Sequence, residues 1–238
     1  MTYELYYWPS IQGRGEFVRL VLEDAGAPYV DVARTPGGME RMQALLRGEG
    51  DAPLVPFAPP FLHADGLWLA QTAHITAFLG ERLGLAPADA QGRLTARTLA
   101  LTIADLVAEA HDTHHPIATE QYYEDQRDAA RARAGSFRAH RLPKFLGWLE
   151  RSLARRGDAG VLVGAEVSYV DLAAFQIVEG LTYAFPRAMA ARKHELPRLH
   201  ALRERIAARP RLAAYLASPR RLPFSEQGIF RHYPELDG

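Results

Sequence analysis

Apolar and polar positions come in short blocks over the first 83 residues, then recur at helical spacing through most of the remaining chain. In Tyr3-Glu4-Leu5-Tyr6-Tyr7 the strand formers fall on both faces, which predicts a strand covered on both sides. Trp8-Pro9-Ser10-Ile11-Gln12-Gly13 interrupts it with proline and glycine. From Arg14 to Ala25, Phe17, Leu20, Val21 and Ala25 recur at the period of a helix, and Gly26 ends it. Tyr29-Val30-Asp31-Val32-Ala33 reads as a second strand, closing a βαβ unit whose strands run parallel. A short helix is predicted around Met39–Leu46. The run Pro56 to Leu62 leads into a third strand, Ala64-Asp65-Gly66 makes a tight turn, and Leu67-Trp68-Leu69 returns. Thr72 to Leu83 then places Ile75, Phe78, Leu79 and Leu83 on one helical face.

Residues 84–91 read as a linker. Beyond it, helical patterns occupy 92–119, 126–156, 168–184, 197–208 and 211–217, with breaks at Pro116, Gly157 to Gly160, Pro186, Pro197 and Pro210. The predicted organisation is an α/β domain over residues 1–83 followed by an all-α domain over 92–238. Ser168 stands three residues before Asp171, flanked by Val167 and Leu172. That is a capping box with a hydrophobic staple, so this segment is a scaffold feature.

Composition narrows the function. With 48% hydrophobic and 24% charged residues among 238, extended disorder is excluded. Lys+Arg and Asp+Glu balance at 28 each, so the whole-chain basic footprint of a nucleic-acid partner is missing. No apolar run reaches membrane-spanning length, and Met1-Thr2-Tyr3-Glu4 does not open a secretory signal; a cytoplasmic chain without a membrane partner is expected. Cysteine is absent, which removes disulfides, thiolate metal sites and protein-thiol nucleophiles. Lys144 and Lys193 are the only lysines, so an anion clamp here is an arginine.

The order of elements resembles the soluble glutathione transferases, which carry a thioredoxin-like domain followed by a helical one. The resemblance rests on Tyr7-Trp8-Pro9 through Arg19, on Pro59-Pro60 to Gln71-Thr72, and on Gly164 to Asp171. The start is most like the tyrosine-using classes (alpha, mu, pi and sigma). It implies a cytoplasmic homodimer, active in detoxification, that conjugates glutathione to small hydrophobic electrophiles. Glutathione is then a co-substrate, with no further cofactor and no metal. A non-catalytic ligand-binding protein, or a glutathione-dependent isomerase or peroxidase, are the alternatives on the same fold.

The chemistry defines the roles. Only the thiolate of glutathione attacks well, and holding it at neutral pH takes about 2 units of pKa depression, roughly 2.7 kcal/mol. One hydrogen bond from a neutral hydroxyl, with oriented dipoles, is of that order. The resemblance gives this role to Tyr7 at the end of the first strand, with Ser10 in the following loop as the rival. Gln71-Thr72 opens the helix after the fourth strand, where free N–H groups suit the γ-glutamyl carboxylate. The family's cis proline precedes the third strand. Counting back from Thr72 points to Pro60, but Pro59 has no N–H to offer the cysteinyl backbone. The expectation is therefore Ala58 as the contact and Pro59 as the cis residue. For the glycyl carboxylate, Arg34, Arg41 and Arg47 are the available cations, and Arg47 is taken as the contact. His111 and His115, four apart in His111-Asp112-Thr113-His114-His115, are assigned to the electrophile pocket. No Glu lies between them in an H-E-x-x-H pattern, so no metal is expected.

Overall fold

The computed structural model describes residues 2–50 and 52–238. Its first half is built on four strands, β1 (Tyr3–Tyr6), β2 (Tyr29–Asp31), β3 (Phe61–Ala64) and β4 (Leu67–Ala70), in the order β2-β1-β3-β4. β1 and β2 are parallel, with Tyr3 opposite Tyr29, and the β1–β3 and β3–β4 pairs are antiparallel. The Asp65-Gly66 corner joins the last two, with both residues at positive φ. Three helices belong to this half: α1 (Gly15–Ala25), α2 (Gly38–Leu46) and α3 (Thr72–Arg82). β1 is covered on both faces, as its residues demand. Leu5 packs with Phe17, Leu20 and Ile75, while Tyr6 packs with Met42, Leu45 and Phe61.

The second half is helical: α4 (Ala90–Asp112), α5 (Arg127–Ser136), α6 (Leu142–Ala154), α7 (Tyr169–Ala184), α8 (Pro186–Ala191), α9 (Pro197–Ala207) and α10 (Pro210–Leu216). No helix among the described residues is long and apolar enough to cross a membrane. α7 is the central element, with Leu172, Phe175, Ile177 and Leu181 all buried. Its start is the capping box: the Asp171 carboxylate accepts from the Ser168 N–H (2.8 Å), the Ser168 hydroxyl (2.7 Å) and the Leu162 N–H (2.7 Å).

Several boundaries differ from the sequence pattern. β1 stops at Tyr6 and β2 at Asp31. The helix expected over 92–119 runs from Ala90 only to Asp112. The Thr113 hydroxyl turns back to the Ala110 carbonyl (2.6 Å), and Pro116 bars the residue before it from helical backbone. The pattern over 126–156 is two helices separated by a wider turn at Phe137–Arg141. Pro186 opens α8 instead of marking a gap, because the first turn of a helix has no use for the missing N–H.

Buried charge ties the two halves together. Three acids of α1 reach cations near the C-terminus. Glu16 pairs with Arg221, Glu23 with Arg220 (3.0 Å), and Asp24 with Arg209 in a two-point clasp (2.6 and 2.8 Å). Glu16 also accepts from the Tyr215 hydroxyl (2.7 Å). After α10 the chain runs back over the helices, where the Phe230 ring lies on the bare backbone of Gly180 and Asp237 accepts from the first N–H groups of α8.

Candidate active site

Tyr7 lies just past β1 and is almost fully buried, its ring resting on the backbone of Gly13 and Gly15. A side chain at Gly13, which has φ 46°, would run into the phenol oxygen. The Arg14 N–H donates to that oxygen at 2.8 Å, so the hydroxyl proton remains free for another acceptor. Burial pushes the Tyr7 phenol above its usual range, against the pull of the Arg14 and Gly15 N–H groups. The group is therefore a neutral donor at physiological pH. Beneath it, Arg19 is fully buried and held by Asp31 (2.7 Å) and Glu16 (3.3 Å), with its guanidinium 5.7 Å from the Tyr7 ring centre. Ser10 sits in an exposed turn.

Gln71 is one of two non-glycine residues at positive φ among those described (φ 72°). Backbone in that region is strained and is held in place by its surroundings. It turns the chain from β4 into α3, whose first N–H groups receive no side-chain cap. The Thr72 hydroxyl is buried and has no hydrogen-bond partner. A cleft of about 350 Å³ opens here, lined by Arg14, Gln71 and Thr72 and, from α4, by Ile103, Ala104 and Val107. Its polar end holds an uncapped helix start and an arginine, and the rest of its wall is mostly apolar, with His74 and Thr76 the polar exceptions. That is a receptacle for an anion attached to a partly apolar body.

The other expected contacts are arranged differently. The cis peptide is Pro59–Pro60, which corrects the assignment of Pro59 as the cis residue. Pro60 is buried and leads directly into β3 at Phe61, whereas Pro59 is half-buried and Ala58 exposed. The residue ahead of the cis proline is thus Pro59, with a carbonyl to offer and no N–H. Arg47 is clasped by Glu49 at two points (2.6 and 2.9 Å). Arg41 is likewise clasped by Glu4, and Arg34 lies 3.1 Å from Asp31.

His111 closes α4, while His114 and His115 come after it, so the pair four apart does not share a helix. The three rings nevertheless meet, with centroids 4.9–5.0 Å apart. Burial lowers His111 to about 4, helped by His115, Arg14 and Arg231, and lowers His114 to about 2. His115 is lowered too, again chiefly by burial. Sequence reasoning misses two residues. One is Arg14, which lines the cleft and whose signal is its place at a helix start after a positive-φ glycine. The other is His114, visible only as the middle of the histidine run.

A mixed four-stranded α/β half, an all-helical half and a cleft at the α3 start define the architecture of a glutathione transferase. The glutathione S-transferase C-terminal domain family matches residues 111–219. The chain is 26% identical over 218 residues to glutathione S-transferase P of Bos taurus, covering 91% of this chain and 92% of that protein. It is 26% identical over 216 residues to hematopoietic prostaglandin D synthase of Gallus gallus, covering 90% and 95%. A solved nematode-specific GST of C. elegans superposes with a TM-score of 0.68 at 25% identity, covering 94% of this chain and 99% of the other. Along nearly its whole length the chain is similar to cytosolic glutathione transferases, and the family's C-terminal domain matches residues 111–219.

Proposed function

We propose that the protein is a glutathione transferase that joins the glutathione sulfur to small hydrophobic electrophiles. The observation carrying this reading is the unpartnered, buried Thr72 hydroxyl beside the uncapped start of α3, in the cleft shared with Gln71 and Arg14. In this reading the γ-glutamyl carboxylate takes the α3 N–H groups and the Thr72 hydroxyl, with Gln71 beside it. The Tyr7 hydroxyl donates to the thiolate, its own oxygen already satisfied by Arg14. Pro59 contributes a carbonyl alongside the tripeptide, and Ala58 lies at the rim. Arg47 reaches the glycyl carboxylate only by releasing Glu49. Neither His111 nor His115 lines the cleft at α3, so their assignment to the electrophile pocket rests on the family resemblance alone.

The test is retention on glutathione-agarose followed by turnover on aryl halides, enones, isothiocyanates and hydroperoxides. Retention with conjugation of at least one class supports the reading. Retention without turnover leaves a binding protein. The Gallus gallus relative's name favours a second reading, a prostaglandin synthase using the same thiolate, which prostaglandin-endoperoxide substrates would reveal.

A homodimer belongs to the same proposal. Phe57 is 95% exposed, next to exposed Leu54 and Val55, and Leu101 projects from α4. Apolar side chains this exposed are characteristic of an interface. Sedimentation at micromolar concentration should give a mass near twice 26.4 kDa.

A further inference from the structure

The histidines after α4 form a cluster that thiol chemistry does not require. One ring nitrogen from each of His111, His114 and His115 lies within 4.8 Å of the other two. His114 is 1% exposed, and its Nε2 sits 2.8 Å from the Ile229 carbonyl. A carbonyl only accepts, so Nε2 carries the proton and Nδ1 presents a lone pair. That Nδ1 is buried and has no hydrogen-bond partner. Leaving such an acceptor unsatisfied is unfavourable, and two more imidazoles pack edge-on against the His114 ring at 4.9 and 5.0 Å. The Gln126 amide, oriented by the Ile117 N–H and the Ala118 carbonyl, donates to His115 Nδ1 (3.3 Å), so Nε2 carries the His115 proton. This ring ligates only by giving up the Gln126 contact or moving that proton to Nδ1. The Asp112 carboxylate stays 3.9 Å from His111 Nδ1, beyond hydrogen-bond length.

We propose that His111, His114 and His115 bind a divalent transition-metal ion of the zinc class, through one ring nitrogen each. Three neutral imidazoles suit such an ion, and the carbonyl behind His114 is the outer-shell partner that fixes a ligating tautomer. Tetrahedral bonds of about 2.0–2.1 Å need nitrogens about 3.3 Å apart, so the rings close inward by about 1.5 Å at most. The fourth position remains open for water or a ligand oxygen, as it does in three-histidine zinc sites. Charge around the cluster is mixed. Arg231 and Arg14 oppose a cation, while Asp112 and Glu124 favour it. His115 borders a surface cleft with Gln121, Glu226 and Arg231, which supplies an entry path. The absence of an H-E-x-x-H pattern does not weigh against this site, because only His111 belongs to the helix. Metal binding here is independent of whether the cleft at α3 takes glutathione.

The experiment uses the untagged full chain, stripped with chelator and titrated with Zn²⁺ against a chromophoric indicator. One ion per chain is expected, with a Kd of about 1 μM or tighter. His114→Asn and His111→Ala should each weaken binding about tenfold or more, while the exposed His194→Ala leaves it unchanged. Co²⁺ should give the intense visible bands of a tetrahedral site in the parent chain and lose them in both cluster variants. Melting curves identify folded variants, and His111→Ala, at the half-buried rim, remains informative should His114→Asn fail to fold. Zinc binding insensitive to these substitutions, or no stoichiometric binding by the parent chain, overturns the assignment.

Discussion

Tyr7 shows how one side chain holds two duties at the residue scale. Its ring fills the space over two glycines, and its oxygen satisfies a donor in the first turn of α1. Tyr7→Phe should therefore raise the pKa of bound glutathione and cut kcat by roughly 10- to 100-fold, about 1.4–2.7 kcal/mol. Glutathione affinity should stay within several-fold, since the other contacts lie at α3. The same change strands the Arg14 N–H, so a loss of about 1 kcal/mol in stability should accompany it. Ser10→Ala, in an exposed turn, should alter neither property. The ultraviolet thiolate band, followed against pH for both variants, decides the matter. A rise in pKa with Ser10→Ala alone would remove Tyr7 from the role. The Gln71-Thr72 pair is legible in the sequence because a polar pair follows a strand and opens an apolar helical stripe. Arg14 is not, because its contribution comes from a backbone N–H and from its place on the cleft wall. The choice between Pro59 and Pro60 is not legible either, since both satisfy the same local rules and the pairing of β3 decides between them.

At the scale of elements, α7 depends on its first turn. Asp171 is fully buried and accepts from three donors, all of which lose their partner in Asp171→Ala. The expected cost is about 3 kcal/mol, or roughly 6–12 °C in Tm for a chain of this size. Glutathione affinity of the folded variant should be unchanged. A selective loss of binding at constant Tm would show that this segment belongs to the site. The sequence makes the start of α7 plain, since Ser168 and Asp171 stand at the spacing the cap requires. The ends of α4 and α5 are less legible. Helical periodicity continues through Thr113 and through Phe137, and only a hydroxyl turned onto a carbonyl or a widened turn reveals the break.

At the scale of the whole molecule, the two halves are joined by charge as well as by apolar packing. Arg221 is the C-terminal cation on Glu16, and it also donates to Gln176 (3.1 Å), which in turn donates to Gln12 (2.9 Å). Arg221→Ala should destabilise the protein by about 3 kcal/mol, because a fully buried carboxylate loses a partner. Hydrogen exchange should quicken in α1 and in residues 222–238 together; exchange confined to one of them would argue against a shared network. The layout of these pairs also bears on how the chain is made. Glu16 waits for Tyr215, 199 residues away, and for Arg221, 205 residues away. At roughly 5–20 residues per second, α1 leaves the ribosome roughly 10–40 s before the distant partners of its acids. Until then the nascent first half has only Arg19 beside Glu16 and lacks the arginine partners of Glu23 and Asp24, which the helical half supplies.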